Sequence, residues 1–401
     1  MNLLLALFLV SAWDAGTPGE LFTYGFGAQT FGLGRAYTAA DGTAESIYYN
    51  PAAVCWAQRG EFLGSYNSPN WLHSYGGVSF LYPTGSRTGF GFTLVVLKPQ
   101  GISGYDENGN YTQWIQPQFL GGLISFSRKV TNRVSVGLNG KFYYGQIGSY
   151  VGSGAGLDLG VLTRWSPVFQ TGLALLNVVP PSPKFTNERE PFPRVFRAGF
   201  QFKPYSKVRF LGDLVKSTAR SLHYHLGVEL APLDFFRLRF GYDYMDLSAG
   251  FGVKIQRGGQ EFLIDYTFSN THHSATLYPF SHRISATVRF GGYRVWAHAD
   301  PNKISLTTMS PALLTYIYPH VKTKAPVDHW VLEIYRKSGE LTRRLMGKGT
   351  PPLRLAWDGR DETGRLVPRG RYRYKLQVWD ETGDLYEASG YLLDVSETTI
   401  F

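Results

Sequence analysis

The chain has 401 residues, enough for two or three domains, and a formal net charge of +10. Its 46 glycines and 15% aromatic residues favour many short strands joined by tight turns. The basic residues fall singly rather than in a clustered arm or motif, which argues against a nucleic-acid partner, and the single cysteine, Cys55, excludes an intrachain disulfide.

The amino terminus, MNLLLALFLVSA over residues 1–12, is an apolar run that ends in small residues. This pattern is typical of a secretory signal peptide cleaved after Ala12, although no Lys or Arg precedes the run. No other segment has the roughly 18 consecutive apolar residues that a membrane helix needs. The sequence therefore predicts export, and any membrane-embedded part must cross as strands.

Residues 13–60 are rich in small side chains and contain the stretch FGLGRAYTAADGTAESIYYNPAAV at 31–54. The glycines superficially resemble a phosphate-binding loop, but no βαβ pattern surrounds them and no Gly-Lys-Ser/Thr follows. We therefore expect no nucleotide cofactor. Asp41 is expected to cap the short helical stretch TAESIYY, and Asn50-Pro51 to end it.

Between residues 61 and 292, fourteen segments alternate apolar and polar side chains, most of them over 8–13 residues. Tilted membrane-spanning strands have a similar length, about 9–11 residues. The predicted strands lie near 61–67, 74–82, 88–97, 117–129, 133–145, 154–165, 168–177, 194–203, 207–215, 222–231, 234–243, 246–256, 261–269 and 283–290.

The links between these segments alternate in length. Links such as PTGSR and VTN are short, whereas the links that alternate with them, such as 98–116 and 178–193, are long. The link near Tyr244 is the one exception, because it is short at a position where the alternation predicts a long link. Bacterial outer-membrane barrels sort short periplasmic turns from long outer loops in this way. The predicted fold class is therefore all-β, with a 14-stranded antiparallel transmembrane β-barrel.

Charged residues share one face of the predicted strands, as His225 and Glu229 do opposite Leu226. A charged side chain at the bilayer midplane costs about 2–4 kcal/mol, so the charged face must line the lumen. The predicted lumen polar network comprises Lys141, Asp158, Arg209, His223, His225, Glu229, Arg237, Arg239, Asp265 and Arg289.

Catalytic and metal sites are not expected. The loop YDENGNY at 105–111 is spaced like a calcium loop but lacks its glycine and glutamate at the required positions. The pair His272-His273 has no third ligand at a characteristic spacing. No Ser–His pair is singled out for nucleophilic catalysis. We expect a protein without enzyme activity, cofactor or metal.

The stretch 31–54 resembles the amino-terminal signature of the PorV/PorQ outer-membrane proteins, which are relatives of the FadL-type channels. The family usually continues Asn-Pro-Ala with Gly-Leu, whereas this chain has Ala53 and Val54. The resemblance implies that residues 13–60 enter the barrel as a plug. The motif residues are Gly32, Gly34, Arg35, Asp41, Asn50, Pro51 and Ala52.

The carboxy-terminal part forms a separate domain in this prediction, with a linker at 293–302 and strand-like runs over 303–401. Its Trp357-Asp358-Gly359 and Pro368-to-Tyr372 motifs resemble the Ig-like module of the FlgD type. An even number of barrel strands returns the chain to the side where the plug begins, so this domain is expected in the periplasm. The residues expected in its β-sandwich core are Trp330, Ile334, Leu355, Trp357, Tyr372, Tyr374, Leu376 and Val378.

Two functions are open for such a barrel in outer-membrane lipid. The PorV/PorQ resemblance implies a binding or accessory component linked to protein secretion or surface attachment, with secretion machinery or secreted proteins as partners. The FadL relation implies a channel for small hydrophobic ligands. Lumen charges of both signs are a poor solvent for an acyl chain, which favours the first function. A structural envelope anchor is a third alternative.

Overall fold

The computed structural model describes residues 19–69, 74–105, 108–244, 246–257, 260–271, 280–301, 303–305 and 314–396. The expected signal peptide and the pair His272-His273 lie outside these ranges. The chain divides into two compact units, and the boundary falls between Gly291 and Gly292.

The described part of the first unit begins with residues 19–59, here called the plug, which contain little regular structure. Its described elements are a 3-10 turn at Glu20–Phe22, the helices α1 (Ala28–Gly32) and α2 (Ser46–Tyr49), and a 3-10 helix at Pro51–Trp56. Nearly every side chain from residue 25 to residue 57 is buried. Small residues allow this dense packing because they let backbone segments approach one another closely.

The helix ends of the plug test two expectations. Asn50 follows α2 directly as its C-cap, so Asn50-Pro51 ends the helix as predicted. The expected cap by Asp41 is wrong, because Glu45 occupies the N-cap position without a side-chain hydrogen bond. The Asp41 carboxylate instead pairs with the Lys203 ammonium group of the barrel wall.

Sixteen strands follow the plug in the described part of the first unit. In chain order they are β1 (Gly60–Pro69), β2 (Ser74–Thr84), β3 (Thr88–Lys98), β4 (Ile102–Tyr105), β5 (Tyr111–Ile115), β6 (Gln118–Lys129), β7 (Val134–Ile147), β8 (Tyr150–Arg164), β9 (Phe169–Val179), β10 (Val195–Tyr205), β11 (Val208–Ser217), β12 (His223–Leu233), β13 (Phe236–Tyr242), β14 (Asp246–Arg257), β15 (Gln260–Thr271) and β16 (Phe280–Phe290).

Fourteen of these described strands, all except β4 and β5, close into an antiparallel barrel. Each pairs with the next along the chain, β3 pairs with β6, and β1 pairs with β16 to close the barrel. Every predicted strand overlaps one of the fourteen, so the predicted fold class is confirmed. The hairpin β4–β5 was not predicted, and the β7–β8 link, residues 148–149, is shorter than expected.

The two faces of the barrel wall differ in polarity. On β12 the side chains of His225 and Glu229 are buried, whereas Leu226 and Leu230 are exposed on the outside. Large apolar residues are also exposed on the outward face of the other barrel strands. A barrel with an apolar exterior and a polar interior has the surface of a membrane-embedded protein. Separately, no helix among the described residues is long and apolar enough to cross a membrane.

The second unit consists of two sheets that share one hydrophobic core. β17, β19 and β22 form a three-stranded sheet, and β18, β24, β23, β20 and β21 form a five-stranded sheet in that order. The strands are β17 (Arg294–Asp300), β18 (Lys303–Ser305), β19 (Thr315–Lys322), β20 (Val327–Arg336), β21 (Leu341–Lys348), β22 (Leu355–Trp357), β23 (Gly370–Asp380) and β24 (Leu385–Ser396).

Two expectations for this unit have different outcomes. All eight residues predicted for its core are buried, because they occupy inward positions of β20, β22 and β23. The expected linker at 293–302 is wrong, because residues 294–300 form β17 and pair with β19. Val295 on this strand is part of the core, which gives the segment a folded position.

The outward face of the barrel yields a stability test. Leu226 is 49% exposed in the middle of β12, so Leu226→Arg places a guanidinium group against lipid. We expect a loss of about 2–4 kcal/mol in folding free energy if the residue lies near the midplane. Urea titration of the protein in lipid vesicles measures the change. Leu353→Arg, at a 90% exposed position of the second unit, is the matched control and should change little. Equal stability of both variants would contradict a lipid-facing position.

Candidate functional site

The plug is held in the barrel by hydrogen bonds from wall side chains to its backbone carbonyls. These plug carbonyls cannot all be satisfied within the plug, because most of its backbone is not helical. The donors and acceptors are Ser79 to Ala44 (2.8 Å), Ser135 to Ala52 (2.7 Å), Asn139 to Ile47 (2.9 Å), Gln170 to Ala39 (2.6 Å), Ser248 to Phe31 (2.7 Å) and Thr267 to Ala28 (2.6 Å).

Wall side chains also accept hydrogen bonds from the plug. Oδ2 of Asp213 accepts from the amides of Tyr37 and Thr38, both at 3.0 Å, and from the Thr38 hydroxyl at 2.6 Å. The same oxygen lies 2.8 Å from Arg197 Nη2. Farther along the plug, the amide of Ala44 donates a hydrogen bond of 2.8 Å to the carboxylate of Glu61 on β1. One buried carboxylate, Asp213, therefore anchors two successive plug residues.

Ion pairs connect the plug to three further wall positions. Arg35 Nε lies 2.8 Å from Asp243 Oδ2, and Arg35 also donates to the carbonyl of Tyr24. Asp41 pairs with Lys203 and lies 3.7 Å from Arg164 Nη2. The Arg35–Asp243 pair is buried, so each charge needs the other, whereas the pairs of Asp41 are about one third exposed and worth less.

The largest charged cluster on the wall centres on Glu229 and Arg239. Arg239 lies 2.7 Å from Glu229 and 2.6 Å from Asp265. Arg209 lies 3.1 Å from the other oxygen of Glu229, and Arg237 lies 3.9 Å from it. These five residues of the predicted lumen network form one connected chain of ion pairs across β11, β12, β13 and β15.

The other predicted lumen residues lie outside that chain. Lys141 and Asp158 form a separate pair at 2.7 Å, and Lys141 also donates to Asn177. Arg289 pairs with Glu61 at 2.6 Å. The structure therefore brings the predicted residues into several local groups instead of one network.

The two histidines of the predicted network have different surroundings. The Nδ1 atom of His225 lies 2.8 Å from the carbonyl oxygen of Gly34, so this residue contacts the plug. His223 stacks on Tyr244 with ring centroids 3.7 Å apart. His225 therefore contacts the plug through the Gly34 carbonyl, and His223 lies in the same part of the wall.

The glycine positions of the plug motif allow close approach to the wall. Gly34 has a φ of 60°, and a Cβ there would lie 2.5 Å from the carbonyl oxygen of Tyr242. A side chain is thus excluded both by conformation and by space. Gly32 faces Thr267 and Arg239 at the end of α1, where a Cβ would also be tight at 2.9 Å.

The Asn-Pro-Ala part of the motif forms a junction between plug and wall. Asn50 accepts from the Ala52 amide at 3.0 Å and donates to the carbonyls of Thr38 and Val161. Pro51 stands at the first position of the following 3-10 helix, where its missing N–H is not needed. This helix continues to Trp56, and β1 begins at Gly60.

A small cavity lies between the plug and the wall, at the end of the barrel that carries the links 180–194 and 218–222. Its volume is about 50 Å³ and its lining is mainly apolar. Aromatic plug residues and aliphatic wall residues enclose it, together with several cationic or imidazole groups. The lining includes Phe22, Tyr48, Val195, Arg35, Arg197 and His223.

Side chains of His, Cys, Asp and Glu are the residue types that could hold a metal ion. Among the described residues, no group of three or more His, Cys, Asp and Glu side chains is placed to hold a metal ion. Cys55 is buried, and its thiol lies 3.6 Å from the carbonyl of Ala52.

The residues that sequence reasoning missed are mainly neutral. Ser79, Ser135 and Thr267 occupy inward positions of the strands, and their hydroxyl groups bond the plug backbone. The available signal was the recurrence of small polar residues at inward positions, which differs from the apolar outward positions. Glu45 was also missed, because it belongs to no periodic segment.

Comparison with known proteins identifies related folds. Neither a family model nor a curated protein sequence matches this chain. The Ralstonia pickettii toluene transporter TbuX is similar in structure, with 14% identity, a TM-score of 0.50, and coverage of 67% of this chain and 99% of that one. The Pseudomonas putida toluene transporter TodX gives 14% identity, a TM-score of 0.50, and coverage of 66% and 97%. These similarities establish a shared barrel fold.

The anchoring role of Asp213 can be tested directly. Asp213→Ala removes an acceptor from two plug amides and leaves Arg197 buried without its carboxylate, a loss of about 3–5 kcal/mol. Amide hydrogen exchange of residues 35–40 should accelerate by about a hundredfold or more, since 1.4 kcal/mol is a factor of ten. Glu188→Ala, in an exposed loop, is the control. Unchanged exchange in Asp213→Ala would show that the plug is held elsewhere.

Proposed function

We propose that the protein is an outer-membrane channel for small hydrophobic molecules and that the plug is its gate. The observation that carries this proposal is the plugged fourteen-stranded barrel with a mainly apolar cavity beside the plug. The fold shared with two toluene transporters supports it. The plug explains how such a barrel stays closed to water and ions between transport events.

The size of the cavity indicates a closed state. An apolar cavity of about 150 Å³ holds one benzene molecule, whereas this cavity measures about 50 Å³. A monoaromatic ligand therefore needs side chains of the plug, such as Phe22 or Tyr48, to move. Entry of the ligand and displacement of the plug are linked in this proposal.

The charged groups of the cavity extend the range of ligands. Arg35, Arg197 and His223 lie beside apolar groups, so the cavity suits a molecule with an apolar body and a polar or anionic end. Both a neutral hydrocarbon and a carboxylate are therefore suitable probes.

A role in secretion or surface attachment, expected from the PorV/PorQ resemblance, has less support. The structural neighbours are transporters. The charged lumen, which favoured that role in the sequence, is largely neutralised by ion pairs in the structure. An interaction role for the second unit, with its resemblance to FlgD-type Ig-like modules, is compatible with a channel.

Filling the cavity tests the channel function. Val195 is 4% exposed in the cavity wall, so Val195→Phe should obstruct it. Cells that oxidise toluene or octanoate, and whose own hydrocarbon channels are deleted, report uptake as initial oxygen consumption. We expect wild type to raise this rate and Val195→Phe to lose at least nine tenths of the increase.

The matched control is Val136→Phe, because Val136 is 43% exposed on the outside of β7. It should support the wild-type rate, and the altered mobility of folded barrels on unheated gels verifies that each variant is folded. No increase with wild type for either substrate would refute the proposed function.

The proposed topology places the second unit in the periplasm. The support is the even strand number, which returns the chain to the side where the plug enters. Protease added to intact cells should leave residues 314–396 uncleaved until the outer membrane is permeabilised, as immunoblotting would show. Cleavage in intact cells would place the unit outside, and a protease site inserted at the exposed 186–190 loop serves as the positive control.

A further inference from the structure

Glu45 is a buried acidic residue of the plug, and it takes no part in the hydrogen bonds and ion pairs that join the plug to the wall. It precedes α2, and its exposure is 2%. Among the described residues, its Oε1 has no hydrogen-bond partner. The side chain lies against the backbone of Gly27, where a Cβ would overlap Oε1. The glycine thus makes room for a carboxyl group without supplying a compensating charge.

The charged groups that face Glu45 lie on the barrel wall. Glu61 on β1 and Asp265 on β15 are acidic, Arg209 on β11 and Arg239 on β13 are basic, and Tyr37 of the plug is also close. Both arginines are already engaged. Arg239 pairs with Glu229 and Asp265, and Arg209 pairs with Glu229.

Glu61 is committed as well, because it pairs with Arg289 and accepts from the Ala44 amide. Among the described acidic residues of this region, Glu45 is therefore left without a short ion pair. An ionised carboxylate in such a place costs several kcal/mol, and binding a proton removes most of that cost.

We propose that Glu45 is a proton-binding residue of the gate and that the plug seals the barrel with Glu45 protonated. Loss of the proton creates a buried charge that is relieved when the plug moves and water reaches the carboxylate. The gating role of Glu45 rests on the proposed channel function, whereas its protonation in the closed structure does not depend on that function.

The expected pH dependence follows from the direction of the shift. Burial, and next the charge of Asp265, raise the pKa of Glu45, a plug residue outside the membrane-spanning strands, well above its usual value. The sealed state therefore has its full stability below the pKa of a hydrated glutamate, about 4.3. Above that pH the sealing equilibrium weakens about tenfold per pH unit until the pH passes the raised pKa.

Infrared spectroscopy tests the protonation without reference to transport. Wild-type protein in lipid vesicles at pH 7 should show the carbonyl stretch of a protonated carboxyl group. Glu45→Gln should lack that band, and Glu188→Gln, altered in an exposed loop, should retain it. Glu45→Ala, which also removes the carboxyl group, is the second variant if Glu45→Gln does not fold. A spectrum identical in wild type and in the Glu45 variant would overturn the proposal.

Planar-bilayer recording tests the gate. Between pH 5 and pH 9 the open probability of wild type should rise with pH, whereas that of Glu45→Gln should stay low and independent of pH. Glu188→Gln should follow wild type. A wild-type pH dependence that persists in Glu45→Gln would overturn the assignment of the gate to Glu45.

The two proposals fail in distinguishable ways. If the infrared band belongs to Glu45 but cells gain no uptake of toluene or octanoate, the transport function is wrong and the proton site stands. If uptake depends on the cavity but the band is unchanged in the Glu45 variants, the channel stands and the proton site is wrong.

Discussion

The structure depends on the pairing of plug backbone groups inside the barrel. A mostly non-helical segment surrounded by a membrane barrel has amide and carbonyl groups that water cannot fully satisfy, and each unpaired group costs free energy comparable to a lost hydrogen bond. The wall supplies the missing partners through inward hydroxyl, amide and carboxylate groups such as Ser135, Asn139 and Asp213. Plug and wall therefore form one hydrogen-bonded interior, and moving the plug requires breaking many bonds together.

Charge in the lumen follows from the same constraint. Charged residues are excluded from the lipid face, so they accumulate inside, where they must neutralise each other. Arg239 forms ion pairs with two carboxylates from different strands, Glu229 and Asp265. Arg35 of the plug forms an ion pair with Asp243 of the wall. An interior built from compensated charges avoids the free-energy cost of unpaired buried charges. Ionisation of a buried group without such a partner, such as Glu45, is correspondingly costly.

Much of the fold could be predicted because lipid imposes a simple pattern on the chain. Alternation with period two located the fourteen barrel strands, since each must present apolar side chains outward and polar ones inward. The hairpin β4–β5 escaped prediction because nearly all of its side chains are exposed and no alternation results. The β7–β8 link was expected to be long, but Gly148, with a φ of 59°, permits a two-residue turn there.

The sequence by itself determined the strand number, the polar lumen, the core of the second unit and the presence of a segment rich in small residues before the barrel. It could not determine which charges meet, because Glu229, Arg239 and Asp265 are brought together by the register between strands. It also could not locate Glu45, which lies on an irregular segment without periodicity. Only the tertiary structure decided these contacts, since partners distant in the chain become neighbours only when the barrel closes around the plug.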